Sequence, residues 1–334
     1  MLAAPQRLRV GLRLMKAVFP DFATVGTDDI DLGALRGTGI ELRLHEVTTR
    51  AELPARLADA EILITNKIRI GPDELASAPH LELICLAATG VNNVDLDAAR
   101  ARGIGVCNIR SYCTASVVQH TYAMILALTQ HLSAYQRLLQ EGAWRDSPQF
   151  CLLDYPIREL AGRILGIVGH GELGSAVARA APAFGLEVMI SERPGGEPGA
   201  PREGRVPFER VLAESDILSL HCPLTDATRG LIDAAALERM KPDALLINTA
   251  RGALVDSAAL AEALRAGGIG GAGIDVLPQE PPVDGDPLLD PSIPNLVITP
   301  HVAWAARESR QRAVDEIAAN IRSFMTGGRR GRVV

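Results

Sequence analysis

The sequence lacks the long apolar runs, paired cysteines and clustered metal ligands that mark several special classes of protein. No apolar run reaches the roughly 18 residues that a membrane-spanning helix needs, and residues 1–9 lack the apolar core of a secretory signal. The five cysteines are odd in number and stand singly, and no Cys/His group has the spacing of zinc ligands. We therefore expect a cytoplasmic protein with reduced cysteines, no metal site and no membrane contact.

An excess of positive charge is missing as well. The chain has 34 Lys and Arg against 40 Asp and Glu, a net charge of −6, which argues against a nucleic-acid surface. The basic cluster Arg329, Arg330 and Arg332 stands among glycines, and we expect it to be a frayed terminus. With 334 residues, 47% of them hydrophobic, the chain is long enough for two globular domains.

Short apolar runs alternate with alanine-rich helical patterns along nearly the whole chain. This alternation predicts an α/β fold in which helices cover both faces of parallel sheets. The predicted strands are Arg9–Leu12, Glu61–Thr65, Leu83–Ala87, Gly105–Asn108, Arg163–Val168, Glu187–Ser191, Ile217–His221, Ala244–Asn248, Ala272–Asp275 and Leu296–Thr299.

One of these strands leads directly into a glycine motif, Gly169-x-Gly171-x-x-Gly174, and a helical pattern follows it. A buried strand, a glycine turn and a helix N-terminus together form a binding site for a dinucleotide pyrophosphate. In such a site Gly169 permits the tight turn, Gly171 lets the backbone approach the phosphate, and Gly174 lets the helix pack close to the strand. The motif therefore predicts a nicotinamide dinucleotide as cofactor.

The residues after the next strand leave the choice between NAD and NADP open. Glu192 lies 21 residues past Gly171, where a carboxylate accepts hydrogen bonds from the adenosine ribose and repels a 2′-phosphate. The adjacent Arg193 has the opposite effect, because a guanidinium pairs with that phosphate. We expect NAD, with NADP not excluded.

The glycine motif lies far from the start of the chain, so about a hundred residues of αβ pattern precede the cofactor unit. We predict a discontinuous substrate-binding domain, residues 1–110 with 303–334, and a cofactor-binding domain, residues 111–302. The ligand is expected in the cleft between them, at the carboxyl ends of the strands.

Three ionisable residues, Arg251, Glu280 and His301, stand just past predicted strands. Hydride transfer to a 2-oxo acid needs a bidentate cation for the carboxylate, which Arg supplies. It also needs a proton for the carbonyl oxygen, which His donates near neutral pH, and a carboxylate beside the ring orients it. The three residues are therefore candidates for anchor, orienting group and acid/base.

At this point the chain resembles the D-isomer-specific 2-hydroxyacid dehydrogenases over nearly its whole length. The resemblance implies the same roles for Arg251, Glu280 and His301, and a fold of two Rossmann-like or flavodoxin-like domains. The segments that carry it are the glycine loop, His221-Cys222-Pro223-Leu224-Thr225, Asn248-Thr249-Ala250-Arg251-Gly252, Asp275 with Glu280, and Thr299-Pro300-His301.

The resemblance also implies further contacts. Backbone N–H groups near Thr89 and Gly90 would receive the substrate carboxylate, Asp275 would bond the nicotinamide carboxamide, and Trp304 would pack beside His301 and limit the pocket. The residues expected to contact the cofactor are Thr89, Gly169, Gly171, Glu172, Leu173, Gly174, Glu192, Arg193, Cys222, Thr249, Ala250, Asp275 and His301.

Two stretches, residues 111–121 and 301–305, resemble the glycerate dehydrogenase or hydroxypyruvate reductase branch, although Ala305-Ala306 departs from its pattern. The favoured substrates are hydroxypyruvate and glyoxylate, giving D-glycerate and glycolate. Glu280 counts against formate oxidation, whereas phosphite oxidation stays open, and so does a dinucleotide-sensing corepressor. The resemblance implies a homodimer, for which the apolar region Thr114–Gln140 is a candidate interface.

Overall fold

A computed structural model describes residues 14–26, 28–194 and 202–334 of the chain. Two compact units form it: the chain up to Cys113 together with Arg307–Val334, and Thr114–Ala306. Each unit contains one parallel sheet with helices, which confirms the predicted fold class. The predicted strand Arg9–Leu12 lies outside the described residues.

The first unit is built on a five-stranded sheet with the order β2-β1-β3-β4-β5. This is the flavodoxin-like order, in which the strands run outward in both directions from the first one. Its strands are β1 (Met15–Phe19), β2 (Ile40–Leu44), β3 (Ile62–Thr65), β4 (Leu83–Leu86) and β5 (Gly105–Cys107). Its helices are α1 (Gly33–Arg36), α2 (Leu53–Leu57), α3 (Pro72–Ala76), α4 (Leu96–Ala101) and, after the second unit, α11 (Arg307–Met325).

The last residues of the chain are not a frayed terminus, so that prediction was wrong. Cys107 of β5 and Arg332 form an antiparallel bridge, and the Val333 N–H donates to the Val106 carbonyl at 2.8 Å. Gly105 makes room for this pairing, because a Cβ atom there would lie 1.8 Å from the Arg332 guanidinium. The tail is held because the edge strand offers unpaired backbone groups and a gap for an arginine.

The second unit has a six-stranded parallel sheet with the order β11-β10-β9-β8-β6-β7. Its strands are β6 (Ile164–Val168), β7 (Glu187–Ile190), β8 (Ile217–Leu220), β9 (Leu245–Asn248), β10 (Gly271–Ile274) and β11 (Leu296–Ile298). Its helices are α5 (Thr114–Thr129), α6 (Leu132–Gln140), α7 (Glu172–Ala180), α8 (Phe208–Glu214), α9 (Ala234–Arg239) and α10 (Ser257–Arg265). The order changes direction between β6 and β8, and ligands of doubly wound sheets bind beside such a switch point.

Apolar side chains cover both faces of this sheet. On one face the buried side chains include Ile125 of α5, Ile167 of β6 and Ile247 of β9, and on the other they include Leu218 and Leu246. These strands are almost continuously apolar because both faces are buried. Helix α5 is therefore packed firmly against the sheet. Its position is used below, because it contacts the loops that follow the strands.

Within the part of the chain that the structure describes, no helix is long and apolar enough to cross a membrane. Nor do three or more His, Cys, Asp or Glu side chains in those residues gather as they would around a metal ion. None of the five cysteines, all of which lie in the described residues, forms a disulfide bond.

Candidate active site

The turn after β6 packs so closely that two of its positions admit only glycine. Gly169 has φ +95°, and a Cβ atom there would lie 2.4 Å from the backbone nitrogen of Cys222. A Cβ atom on Gly174 would lie 2.0 Å from the Gly169 carbonyl oxygen. Gly171 differs, because nothing lies within 4 Å of a Cβ atom placed on it. The first and third glycines thus shape the turn, and the second keeps an open approach to the backbone.

This open approach leads to the N-terminus of α7. Gly171 is the N-cap residue, so no side chain caps the helix. The backbone N–H groups of Glu172 and Leu173 belong to the first turn, where the positive end of the helix dipole attracts an anion. The Glu172 carboxylate turns aside to accept a hydrogen bond from the Thr114 hydroxyl. These groups fit the pyrophosphate of a dinucleotide.

Glu192, directly after β7, carries an ion pair that the sequence did not predict. Its Oε1 atom accepts hydrogen bonds from the Arg202 side chain, at 2.8 Å from Nε and 2.5 Å from the terminal nitrogen. The backbone N–H groups of Arg193 and Arg202 donate to the same carboxylate. The Arg202 side chain is the main reason why the pKa of Glu192 falls to about 2. Arg193 itself is exposed.

The loop after β9 is held by the buried Asn248, to which no role had been assigned from the sequence. Its side chain accepts from the Ala250 N–H at 3.0 Å and donates to the Arg251 carbonyl at 2.9 Å. Thr249, next to Asn248 in this loop, is also buried. Cys222 is buried beside the glycine turn, and burial raises the pKa of its thiol to about 11. A polar residue ending the otherwise apolar strand Leu245–Asn248 was the available signal for Asn248.

Arg251, Glu280 and His301 line one cavity of about 280 Å³, together with Leu224, Gly252, Ala253, Val276, Leu277 and Pro278. The structure thus brings the three predicted residues together although they come from three different strand ends. Gly252 lets the arginine loop pack against the wall, because a Cβ atom there would lie 2.0 Å from the backbone carbon of Leu277. A cavity of this volume suits a small ligand.

His301 and Glu280 form a short hydrogen bond, with 2.6 Å between Nδ1 and Oε2. The other carboxylate oxygen of Glu280 accepts from the Leu277 N–H at 3.0 Å, which fixes the side chain. Because an ionised carboxylate only accepts, Nδ1 of His301 carries the hydrogen. Nε2 is then the nitrogen that exchanges a proton with a ligand. Arg251 is exposed and donates to the Ala250 carbonyl at 2.6 Å, which leaves further guanidinium donors for a ligand.

Asp275 is buried, with 1% of its surface exposed, and its carboxylate holds the segment that carries His301. Oδ1 accepts from the Thr299 hydroxyl at 2.5 Å and from the Val302 N–H at 2.9 Å, and Oδ2 accepts from the Ala303 N–H at 2.9 Å. The Asp275 carbonyl also accepts from the His301 N–H at 2.7 Å. From the sequence Asp275 was expected to contact the cofactor, and neither this local role nor that of Thr299 was predicted.

Trp304 packs against the backbone of His301, since its indole N–H donates to the His301 carbonyl at 3.0 Å. It is absent from the described residues that line the 280 Å³ cavity. The proximity expected for Trp304 is therefore present, whereas its effect on pocket size stays a prediction.

Thr89 and Gly90 belong to the first unit, in the loop after β4. The Thr89 hydroxyl donates to the Ile109 carbonyl at 2.9 Å, and its own carbonyl accepts from Asn108 at 2.8 Å. Within the described residues the backbone N–H groups of Thr89 and Gly90 have no hydrogen-bond acceptor. Such a pair of free N–H groups is suited to bind a carboxylate.

Asp21, a buried carboxylate two residues after β1, was not predicted from the sequence. It accepts from the backbone N–H groups of Asn66, Lys67 and Ile68 and thereby fixes the loop after β3. Asn93, three residues past Gly90, donates to the carbonyls of Asn66 and Ile68, which ties the two loops together. The signal for Asp21 in the sequence was an acidic residue that follows an apolar run.

Comparisons with known proteins show which family the chain is similar to. Residues 122–303 match the model of the D-isomer specific 2-hydroxyacid dehydrogenase NAD binding domain. A glycerate dehydrogenase from Methylorubrum extorquens is 45% identical over 288 residues, which cover 86% of this chain and 90% of the relative. A hydroxypyruvate reductase from Blautia hydrogenotrophica is 34% identical over 317 residues, covering 94% and 98%. The solved structure of the TT0316 protein from Thermus thermophilus has a TM-score of 0.84 at 36% identity, covering 96% of this chain and 100% of that one.

Proposed function

The chain belongs to the D-isomer-specific 2-hydroxyacid dehydrogenase family and is an NAD(P)-dependent oxidoreductase, and we propose that it reduces hydroxypyruvate or glyoxylate. The product is then D-glycerate or glycolate, and the reverse reaction oxidises these acids. The names of the two relatives, a glycerate dehydrogenase and a hydroxypyruvate reductase, favour these substrates.

The observation that carries the proposal is that Arg251, Glu280 and His301 line the same cavity. A small 2-oxo acid presents a carboxylate and a carbonyl oxygen on neighbouring carbons. The cavity offers a guanidinium for the first and an imidazole for the second. Because the ring is held by Glu280 at 2.6 Å, its proton donor is already oriented before substrate binds.

In the proposed reaction the substrate carbonyl becomes an alcohol. A nicotinamide coenzyme, when bound, would supply the hydride that C2 accepts. As the C2–O double bond becomes single, His301 gives its Nε2 proton to the oxygen, and the neutral ring later regains a proton from water. Glu280 stays ionised and stabilises the protonated ring, while Arg251 keeps the carboxylate and C2 in place.

For the coenzyme, we assign the pyrophosphate to the turn of Gly169, Gly171 and Gly174 and to the N–H groups of Glu172 and Leu173. The adenosine ribose is assigned to Glu192, with Arg193 nearby. Cys222, Thr249, Ala250 and Asp275 are placed along the nicotinamide half. The support for this assignment is that all these residues follow β6, β7, β8, β9 or β10 at the carboxyl edge of the sheet.

For the substrate carboxylate, we assign Thr89 and Gly90 as additional ligands through their free backbone N–H groups. Trp304 is assigned a place beside the substrate through its contact with His301. Both assignments can be tested by substitution. A change in the substrate site raises the KM of the 2-oxo acid and leaves the affinity of the protein for the coenzyme unchanged.

The test is oxidation of NADH and NADPH, followed by absorbance, with hydroxypyruvate, glyoxylate, pyruvate and longer 2-oxo acids. We expect the highest kcat/KM with hydroxypyruvate or glyoxylate, and loss of turnover in His301→Ala. A preference for pyruvate or a longer acid would overturn the substrate assignment. Turnover of phosphite with NAD, without reduction of any 2-oxo acid, would replace it. Tight NADH binding without turnover would indicate a dinucleotide sensor.

A homodimer working in the cytoplasm is the second part of the proposal. Large apolar side chains are exposed along residues 132–157 of the second unit, among them Phe150 at 89% and Leu153 at 83%. A cavity of about 550 Å³, lined in part by His131, Arg137 and Tyr155, opens in the same region. By contrast α5, the first half of the predicted interface, packs its Tyr122, Met124, Ile125 and Leu128 inside its own unit. The interface is thus proposed at residues 132–157.

Light scattering coupled to size exclusion tests the dimer. We expect a dimer at micromolar concentration and a monomer when Phe150 and Leu153 are both changed to Asp. The matched control is Val47→Asp, because Val47 is 72% exposed in the other unit. A wild-type monomer, or a dimer that survives both substitutions, would remove this part of the proposal.

A further inference from the structure

His120 lies on α5 and is outside the set of residues assigned so far. Its Nε2 atom is 2.9 Å from the Thr299 hydroxyl and 3.6 Å from Oδ1 of Asp275. The Thr299 hydroxyl has one hydrogen, and it points to Asp275 at 2.5 Å. Nε2 of His120 must therefore be the donor to the Thr299 oxygen. A directed chain results, from His120 through Thr299 to Asp275.

The end of this chain controls the backbone at His301. His301 has φ +56°, in the left-handed region that a residue with a side chain adopts only when its surroundings hold it there. Those surroundings are Asp275, whose carbonyl accepts from the His301 N–H and whose carboxylate accepts from the Val302 and Ala303 N–H groups. The direction of the imidazole thus depends on where the Asp275 carboxylate sits.

The same helix holds this segment at a second point. Ser116, one turn before His120, donates to the Ala303 carbonyl at 2.6 Å and accepts from the Ala306 N–H at 3.3 Å. The hydroxyls of Thr121 and Thr249 are 3.4 Å apart, so α5 also reaches the loop that precedes Arg251. Buried apolar residues pack α5 against the sheet. The helix can therefore restrain both the segment that carries His301 and the loop that precedes Arg251.

We propose that His120 is a positioning residue for His301. By donating to Thr299 it fixes the Thr299 hydroxyl on Asp275, and the fully bonded carboxylate then holds the left-handed backbone that aims the catalytic imidazole. Ser116 anchors the far side of the same segment. The proposal rests on the proposed function, because it takes His301 as the proton donor to a 2-oxo acid.

Two substitutions of His120 separate its hydrogen bond from its bulk. His120→Leu keeps the volume and removes the donor, whereas His120→Gln keeps an N–H donor at similar reach. We expect kcat to fall about 10- to 100-fold in His120→Leu, with KM values for both substrates within about twofold, since misplacement of a catalytic group by about 1 Å costs this much. In His120→Gln we expect kcat within about threefold of wild type. A kcat within twofold of wild type in His120→Leu, or no rescue by Gln, would overturn the proposal.

A readout independent of activity separates this proposal from the assignment of the reaction. Hydrogen–deuterium exchange of the peptide spanning residues 299–306 should accelerate in His120→Leu and stay near wild type in His120→Gln. Thr299→Val should accelerate it similarly, and the double variant should add little, because both changes break one chain. Unchanged exchange in both single variants would overturn the proposal whatever the substrate is. If exchange accelerated in a protein that reduces no 2-oxo acid, the positioning role of His120 would stand and the proposed reaction would be wrong.

Discussion

Arg202 covers the carboxylate of Glu192, with 2.5 Å between its terminal guanidinium nitrogen and Oε1. The pair lies at the end of β7, where the carboxylate is expected to meet the adenosine ribose. Arg205 stands close by and donates to the Ser191 carbonyl at 3.1 Å. The acid that should repel a 2′-phosphate is therefore neutralised by an arginine from within the same unit, and this bears on the choice between NADH and NADPH.

We predict that the enzyme accepts both NADH and NADPH. In Arg202→Ala we expect the coenzyme preference to shift toward NADH. Without Arg202 the 2′-phosphate of NADPH loses a cation and meets an uncompensated carboxylate. We expect kcat/KM for NADPH to fall about tenfold, with NADH affected less than about twofold. Steady-state kinetics with both coenzymes measures this.

Glu192→Gln is the matched opposite change, because it removes the negative charge and leaves the arginine. Its ratio of NADPH to NADH activity should rise. If Arg202→Ala and Glu192→Gln moved that ratio in the same direction, the pair would not govern coenzyme choice.

The glycine turn gives a prediction in which two alanine substitutions act differently. In Gly174→Ala the new Cβ atom would meet the Gly169 carbonyl oxygen at 2.0 Å, so the turn must shift and stability should fall by about 1–3 kcal/mol. In Gly171→Ala the Cβ atom has open space, so stability should stay nearly unchanged. Because that space is where the pyrophosphate is assigned, coenzyme Kd should rise at least about fivefold. Urea unfolding and NADH fluorescence titration measure the two effects.

The contrast between the two variants is the control. Equal loss of stability in both would show that the turn does not distinguish the positions. A Gly171→Ala variant with unchanged coenzyme Kd would place the pyrophosphate elsewhere.

Four of the strands that precede site residues, β6, β8, β9 and β10, were predictable because they are buried on both faces and read as largely apolar runs, as in Ile164–Val168. The two strands that were missed, Met15–Phe19 and Ile40–Leu44, are partly exposed. In β2, Glu41 and Arg43 alternate with apolar residues because it is an edge strand, and the alternation weakens the apolar signal.

The candidate site was predictable where one residue type is chemically required, as for Arg251, Glu280 and His301. It was not predictable where a contact joins residues distant in sequence. The bond from His120 to Thr299 spans 179 residues, and the capture of Arg332 beside Gly105 also depends on the folded chain. Arg202 was missed because nothing in its neighbourhood in sequence points to Glu192, 10 residues earlier.

The pair of Glu280 and His301 predicts a graded series. His301→Ala removes the proton donor, and kcat should fall about 10²–10⁴-fold. Glu280→Gln keeps an oxygen acceptor for Nδ1 but removes the charge that stabilises the protonated ring, so we expect a smaller loss of about 10- to 100-fold. Coenzyme Kd should change less than about twofold in Glu280→Gln. Single-turnover kinetics measures the loss, and a Glu280→Gln variant more impaired than His301→Ala would contradict these roles.

His221 predicts a pH dependence of stability. Burial lowers its pKa from 6.5 to about 4, and Nε2 is 2.9 Å from the Ser219 hydroxyl. Between about pH 6.5 and pH 4 the unfolded chain binds a proton at this residue and the folded chain does not. The free energy of unfolding should therefore fall as pH falls through this window. In His221→Gln that contribution disappears, so the stability difference between wild type and variant should shrink as pH falls from 7 to 4. Urea unfolding at several pH values measures it, with His80→Gln at an exposed position as control. A difference that stays constant over the whole range would show that His221 titrates alike in the folded and unfolded states.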